Sequence, residues 1–337
     1  MEELQQLAEI SRRYGADRRC VFLGGGNTSF KTDAHLYIKP SGVALATIQA
    51  DDFIKVDRAA LQRLFTQELP DDVWERETRI KAEMTAAVRP AGSGRASVET
   101  SVHEAFEHKF VVHLHPVEVN GMTCGRNGRE LCGEFCPKAV WLDYVDPGFA
   151  LALRVKEGLR SYAAEHGRQP DVVFLQNHGV FVGGQSCEEI AGVYGAMMAA
   201  LRQRYREAGI SVEMPDTAEP DAAVVKESSP VLRGAVLNGG DGAVVQAGGY
   251  FEPPNGPLSP DHVITSGAFP MQTEEAITGE DVTAYRARND CNPRVSAVDG
   301  KAVFCLGATL KEADNTLIAA ENGALVEKLS QVCGGPH

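Results

Sequence analysis

Phe110-Val111-Val112-His113-Leu114-His115-Pro116 is the stretch on which the reading of this chain turns. β-Branched residues run into a proline, which predicts a short buried strand ending at Pro116. Residues two apart on a strand share a face, so His113 and His115 present two imidazoles side by side. A second apolar strand, Val172-Val173-Phe174-Leu175, runs into Gln176-Asn177-His178-Gly179 and offers a third imidazole. Three neutral imidazoles suit zinc, or another divalent metal, with a further position open for chemistry. Glu99 lies just upstream in Ala96-Ser97-Val98-Glu99-Thr100 and supplies a nearby acid. Such a set can act on a carbonyl. The plain alternative for Glu99 is a helix-start carboxylate, or a partner for His103 one turn on.

Composition bounds the rest. The chain has 337 residues, 43 % of them hydrophobic, enough for one large domain or two modest ones. A formal charge of −13 argues against general nucleic-acid binding but leaves room for an anionic small substrate. No N-terminal apolar run and no bilayer-length segment is present, so a soluble cytoplasmic protein with no membrane partner is expected. The eight cysteines read as thiols, and Cys124, Cys132 and Cys136 do not have the spacing of a paired zinc ribbon.

Before the His-x-His strand, residues 2–14, 57–66 and 71–88 have helical periodicity, with Trp74, Ile80 and Met84 assigned to the buried face of the third. Gly24-Gly25-Gly26-Asn27-Thr28-Ser29-Phe30-Lys31 combines a glycine turn with donors that an anion accepts: Asn27, Thr28, Ser29 and Lys31. It is neither a phosphate-binding Walker loop nor a complete dinucleotide fingerprint. Ser41 and the Gly42 N–H form a second candidate anion contact. Ser97 is read as the N-cap of a helix reaching about Lys109.

After Pro116, residues 117–124 read as helix, 125–137 as loop, 148–165 as helix and 211–229 as a polar linker. Ser186-Cys187-Glu188-Glu189 opens a helix to about Glu207 as a capping box. Beyond the linker, Asp261 to Phe269 is similar to the strand and Ser-Gly turn at His35 to Ala44, and Val295 to Gly307 is similar to the strand pair around His178. Thr309-Leu310-Lys311-Glu312 is again a capping box before an alanine-rich helix. This pattern predicts a weak internal repeat that has lost the histidines, with His262 on a solvated strand edge and the apolar stretches 295–306 and 313–326 packed against the first domain or a neighbouring subunit. The expected division is 1–210, a 211–229 linker, and 230–337.

The blocks Gly26-Asn27-x-Ser29, Ser41-Gly42, Ser97-x-Glu99, His113-x-His115 and Asn177-His178-Gly179, in this order, resemble the class II aldolase/adducin family. The Gly-Gly-Gly-Asn-Thr-Ser-x-Lys form is most similar to the aldolase part of rhamnulose-1-phosphate aldolase/dehydrogenase-type proteins. The resemblance implies a three-layer α/β/α fold with a central, mainly antiparallel sheet. It also implies Zn2+ on His113, His115 and His178, Glu99 as acid/base, and a substrate phosphate held by Asn27, Ser41, Gly42 and Ser97. Val98 stands where some phosphate-using aldolases have a second serine. Family members commonly assemble as homo-oligomers. The expected reaction is retro-aldol cleavage of a ketose or sugar-acid derivative to dihydroxyacetone phosphate and an aldehyde, with the Glu99 pKa raised by burial for proton transfer. The same site could serve an epimerase, dehydratase or decarboxylase. The adducin branch offers a non-catalytic interaction module, which would have no reason to keep the three histidines and the acid.

Overall fold

A computed structural model describes residues 2–237 and 244–337. The chain forms two compact units: residues up to Thr123 with Asn127–Glu207, and Cys124–Arg126 with Ala208–His337. No helix among the described residues is long and apolar enough to cross a membrane.

The first unit runs α1 (Glu2–Gly15), β1 (Asn27–Lys31), β2 (His35–Ile38), β3 (Ile54–Asp57), α2 (Arg58–Leu64), α3 (Val73–Ala86), β4 (Val88–Arg89), α4 (Thr100–Ala105) and β5 (Phe110–Leu114). It continues with α5 (Val117–Thr123), α6 (Gly128–Phe135), β6 (Val140–Leu142), α7 (Phe149–His166), β7 (Val172–Leu175), β8 (Gly179–Gly184) and α8 (Cys187–Glu207). The eight strands form one sheet in the order β4-β3-β2-β1-β5-β8-β7-β6. Every neighbour pair is antiparallel except β6–β7. On one face Leu36, Ile38, Val56, Val111, Val173 and Phe181 pack with Leu61, Ile80, Met84, Val102 and Val155 from α2, α3, α4 and α7. On the other face α1 and α8 cover the sheet: Ser11 bonds Thr28, and the Tyr194 hydroxyl donates to the Val112 carbonyl. This is the mainly antiparallel three-layer arrangement the family resemblance implies.

The second unit runs α9 (Ala222–Leu237), β9 (Val244–Gly248), α10 (Pro260–Ser266), β10 (Met271–Thr273), α11 (Gly279–Asn289), β11 (Val295–Val298), β12 (Ala302–Gly307) and α12 (Leu310–Ser330). Its sheet order is β10-β11-β12-β9, with β10–β11 parallel and the other two pairs antiparallel. The half-sheet β6-β7-β8-β5 of the first unit has the same order and the same sense at each pair. The apolar stretches, expected to need the first domain or a neighbouring subunit, instead find partners within their own unit. Phe304 and Leu306 pack with Leu232, Val282 and Tyr285, while Val303 and Cys305 pack with Phe251 and Ala320.

Several elements depart from the sequence-based expectation. Residues 222–229 of the expected linker are helix: the Asp221 carboxylate accepts from the Ala223 and Val224 N–H groups, and Val224, Ser228 and Leu232 form a buried stripe. Residues 128–135, expected as loop, are α6, whose Leu131 and Cys132 are buried. The stretch from Asp261 is helix rather than strand, because Ser259 is its N-cap and Pro260 stands at the first turn with φ already helical. His262 is accordingly buried, between Ser259 Oγ at 2.7 Å and Asn322 Oδ1 at 3.0 Å, and not on a solvated edge. Trp74 is 76 % exposed while Ile80 and Met84 are 1 % and 4 % exposed, since Trp74 lies about 120° from Ile80 around the helix. The helix after Glu99 stops at Ala105 and does not reach Lys109.

Candidate metal centre and active site

β5 sits between β1 and β8 near the middle of the sheet, which buries His113 completely. His113 is paired with Asn27 on β1 and with Phe181 on β8, and its ring stacks on Phe181 with centroids 3.9 Å apart. His115 follows where β5 ends, and His178 sits in the turn between β7 and β8. That turn carries Asn177 at φ 53°, a left-handed conformation that asparagine tolerates better than most residues. Gly179 allows the close approach: a Cβ there would stand 2.5 Å from the Leu114 carbonyl oxygen and 2.6 Å from His115 Cδ2. Gly26, at φ 75°, likewise lets the loop before β1 lie over the His113 carbonyl, 3.2 Å from where a Cβ would be.

The four groups converge. One ligand atom from each of Glu99, His113, His115 and His178 lies within 4.8 Å of all the others. His113 Nδ1 faces the Val180 carbonyl oxygen at 3.0 Å, and that oxygen only accepts, so Nδ1 carries the proton. In the neutral ring Nε2 then holds a lone pair. It faces His115 Nε2 at 2.8 Å and Glu99 Oε1 at 3.0 Å. His178 Nε2 is 3.5 Å from the same carboxylate oxygen. Lone pairs converging at these distances need either extra protons or a cation among them. Three imidazole nitrogens and one carboxylate oxygen are a donor set that zinc accepts. The residues therefore fit a divalent ion, and the Val180 carbonyl fixes the His113 tautomer as an outer-shell partner does.

Glu99 is positioned by its own chain. The Ser97 hydroxyl accepts from the Glu99 N–H at 3.2 Å, and Glu99 stands at the N-cap of α4 rather than in its first turn. The carboxylate turns to His113 and His178, while the Glu99 main-chain carbonyl accepts from the His103 N–H. Burial pushes the Glu99 carboxyl up, but the extra protons or cation that the Nε2 atoms of His113 and His178 share with it outweigh burial and hold the group well below the usual carboxylate range. The expected rise is thus reversed, because the imidazoles that gather around the carboxylate favour its ionised form.

Asn27, opposite His113, has a buried Oδ1 without a hydrogen-bond partner among the described residues. Ser41 is exposed and accepts from Arg95 Nη2 at 3.2 Å, with exposed Gly42 beside it. Other predicted anion donors are directed elsewhere. Ser29 Oγ is bonded to His103 Nδ1 at 2.7 Å, and Thr28 points to Ser11 on the opposite face. Lys31 is not brought to the cluster. It lies at the far end of β1 from Asn27, its ammonium donates to the His108 carbonyl at 3.1 Å, and burial pushes it down to about 7 against the raising effect of Glu104. Four residues of strand, about 13 Å, separate the two positions.

Sequence reasoning missed Lys39. It is buried directly before Pro40-Ser41-Gly42, and its Nζ donates to the Val43 carbonyl at 2.9 Å. Burial lowers its pKa and the Glu99 carboxylate opposes that shift, so the two charges sense each other. A lysine inside an otherwise apolar strand end, Tyr37-Ile38-Lys39-Pro40, was the available signal. His103 was weighed only as a partner for Glu99. It is buried with an unpartnered Nε2 among the described residues, and burial holds its pKa well below the usual histidine value.

The chain is similar to known proteins over this unit. The uncharacterized oxidoreductase YuxG of Bacillus subtilis (strain 168) is 29 % identical over 199 residues, covering 55 % of this chain and 27 % of that protein. The chain therefore spans about a quarter of that curated relative's length. The N-terminal class II aldolase domain of a conserved protein from Thermoplasma acidophilum superposes with a TM-score of 0.52 at 24 % identity, covering 60 % of this chain and 92 % of that one. L-Fuculose-1-phosphate aldolase from Thermus thermophilus has a TM-score of 0.40 at 18 % identity, covering 60 % and 94 %. The model of the Class II Aldolase and Adducin N-terminal domain matches residues 5–205, more than half of the sequence, and the chain belongs to that family.

Proposed function

We propose that the first unit is a zinc-dependent aldolase that cleaves a phosphorylated ketose or sugar-acid derivative by a retro-aldol reaction, giving dihydroxyacetone phosphate and an aldehyde. The observation that carries this is the convergence of Glu99, His113, His115 and His178 on one point. A divalent ion held there supplies Lewis acidity to a substrate carbonyl. Glu99, ionised and buried, is the group that delivers and removes the proton on the carbon beside that carbonyl. Asn27, Ser41, Gly42 and Ser97 would hold the substrate phosphate in this reading, and the Lys39 ammonium, bonded to the Val43 carbonyl, adds positive charge next to Ser41 and Gly42. The buried Lys39 ammonium suits an anionic sugar better than a neutral one. In this reading the second unit is a degenerate copy of the half-sheet and last helix that builds no metal site. The protein works in the cytoplasm as a homo-oligomer.

The test is elemental analysis of purified protein, followed by a screen of ketose phosphates and sugar-acid phosphates with triose-phosphate release as the readout. One divalent ion per chain and release of dihydroxyacetone phosphate are expected. Metal-free protein whose turnover survives chelation overturns the reading. Epimerised, dehydrated or decarboxylated products from the same screen would replace the aldolase assignment while keeping the metal centre.

A further inference from the structure

Each of the two sheets has two edges among the described residues: β4 and β6 in the first unit, β10 and β9 in the second. Three of the four are short and guarded. β4 has two residues, one of them Arg89, and runs into Pro90. β6 has three residues between Lys138 and Asp143, and β10 has three followed by Glu274 and Glu275. Short strands, charges and prolines are how proteins protect a sheet edge from pairing with other chains. β9 has none of these guards. Val244-Val245-Gln246-Ala247-Gly248 is five residues long, uncharged and half-buried throughout.

Among the described residues β9 is hydrogen-bonded on one side only, to β12. Its faces are occupied, with α9 packed against it and α12 likewise. What is left is the row of backbone groups on the open edge. The first unit shows what that position accepts. There β5, which holds the same place beside β8 as β9 holds beside β12, has its second edge filled by the antiparallel strand β1.

We propose that the open edge of β9 pairs with β9 of a second copy of this chain, antiparallel about a two-fold axis near Gln246. The two four-stranded sheets then become one of eight strands. The strand is self-complementary for this: Gln246 meets Gln246, Val245 meets Ala247 and Val244 meets Gly248, with no like charges opposed. A strand of this composition left open would be an aggregation site, and closed symmetry satisfies it with nothing but a second copy.

Sedimentation velocity on the full chain tests the proposal, together with hydrogen exchange of residues 244–248 over a dilution series. The expected result is a dimer or a multiple of it, with β9 amides that lose protection as dilution separates the copies. Gln246→Lys and Gln246→Glu each set like charges face to face and should halve the sedimenting mass. Mixing the two variants sets unlike charges together and should restore it. A wild-type chain that stays monomeric overturns the proposal. So does β9 protection independent of concentration, or assembly unchanged in both variants.

Discussion

The strand pair and helix that follow α7 and those that follow α11 have the same construction and different contents. β7 and β8 are joined by Gln176-Asn177-His178 and lead into α8; β11 and β12 are joined by Asp299-Gly300-Lys301 and lead into α12. Both helices have 21 residues. Both begin the same way: Ser186 Oγ accepts from the Glu189 N–H while Glu189 bonds the Gln185 N–H, and Thr309 Oγ1 accepts from the Glu312 N–H while Glu312 bonds the Ala308 N–H. Following the registers, the position of His113 is held by Ala247 and that of His178 by Lys301; one residue beyond the paired strand, Gly249 stands for His115. The close approach is inverted as well. Gly179 makes room for His115 in one unit; in the other Ala302 holds the matching position and the Ala218 carbonyl crowds Gly249. The scaffold is therefore one thing and its contents another: caps, strands and hairpin recur, while these three histidines and this one glycine are found in the first unit only.

That contrast is broken most completely by removing a ligand. His178→Ala should strip the metal and reduce turnover to background, whereas Lys301→Ala at the matching place should leave metal content and rate unchanged. Elemental analysis with steady-state assays on both variants decides it. Retained metal in the His178 variant would deny it a ligand role.

Next in size is Glu99→Gln, which keeps the shape and removes the proton carrier. Metal should remain, and kcat should fall by roughly 10²–10⁴. A near-normal rate would return Glu99 to the role of a helix-start carboxylate.

Gly179→Ala tests the inversion. The added methyl meets the Leu114 carbonyl and the His115 ring, and displacement of a ligand by a fraction of an ångström to an ångström can cost about 10² in rate, with overpacking at roughly 1–3 kcal/mol. Ala302→Gly in the second unit should leave catalysis untouched and lower stability by under about 1 kcal/mol. Equal loss of activity in the two would show that the glycine acts through global stability.

β1, which has no counterpart beside β9 among the described residues, gives a smaller effect with a pH signature. Burial holds Lys31 near 7 instead of 10.5, so between those values the unfolded chain binds the extra proton. Stability should rise with pH across that window, and the deficit should be full below about pH 7. Lys31→Met should raise stability near neutral pH by on the order of 2 kcal/mol, after loss of the bond to His108, and flatten the rise. Thermal melts at several pH values measure this, and uniform destabilisation would contradict it.

The smallest effect concerns what the units share. Ser186→Ala and Thr309→Ala each remove one cap and should each cost about 1 kcal/mol, read as faster hydrogen exchange at the start of α8 and of α12 respectively.

By itself the sequence determined what depends on neighbours along the chain. The β5 strand with His113 and His115, the His178 turn and both capped helices follow from spacing, because strand alternation and capping act within a few residues. The family and its mainly antiparallel sheet followed from blocks in order. Tertiary structure decided what depends on surroundings. Lys31 leaves the site because the direction of β1 carries it to the His108 end, which no local pattern encodes. Residues 222–229 are helix because a buried stripe outweighs the polar composition that, with its neighbours from 211, reads as linker. Asp261 to Ser266 is helix because its first-turn proline and the Ser259–His262 side-chain bond prevail over Val263-Ile264-Thr265. The Glu99 pKa falls rather than rises because imidazoles from β5 and from the β7–β8 turn gather around it, and electrostatic environment is set by distance in space, not along the chain.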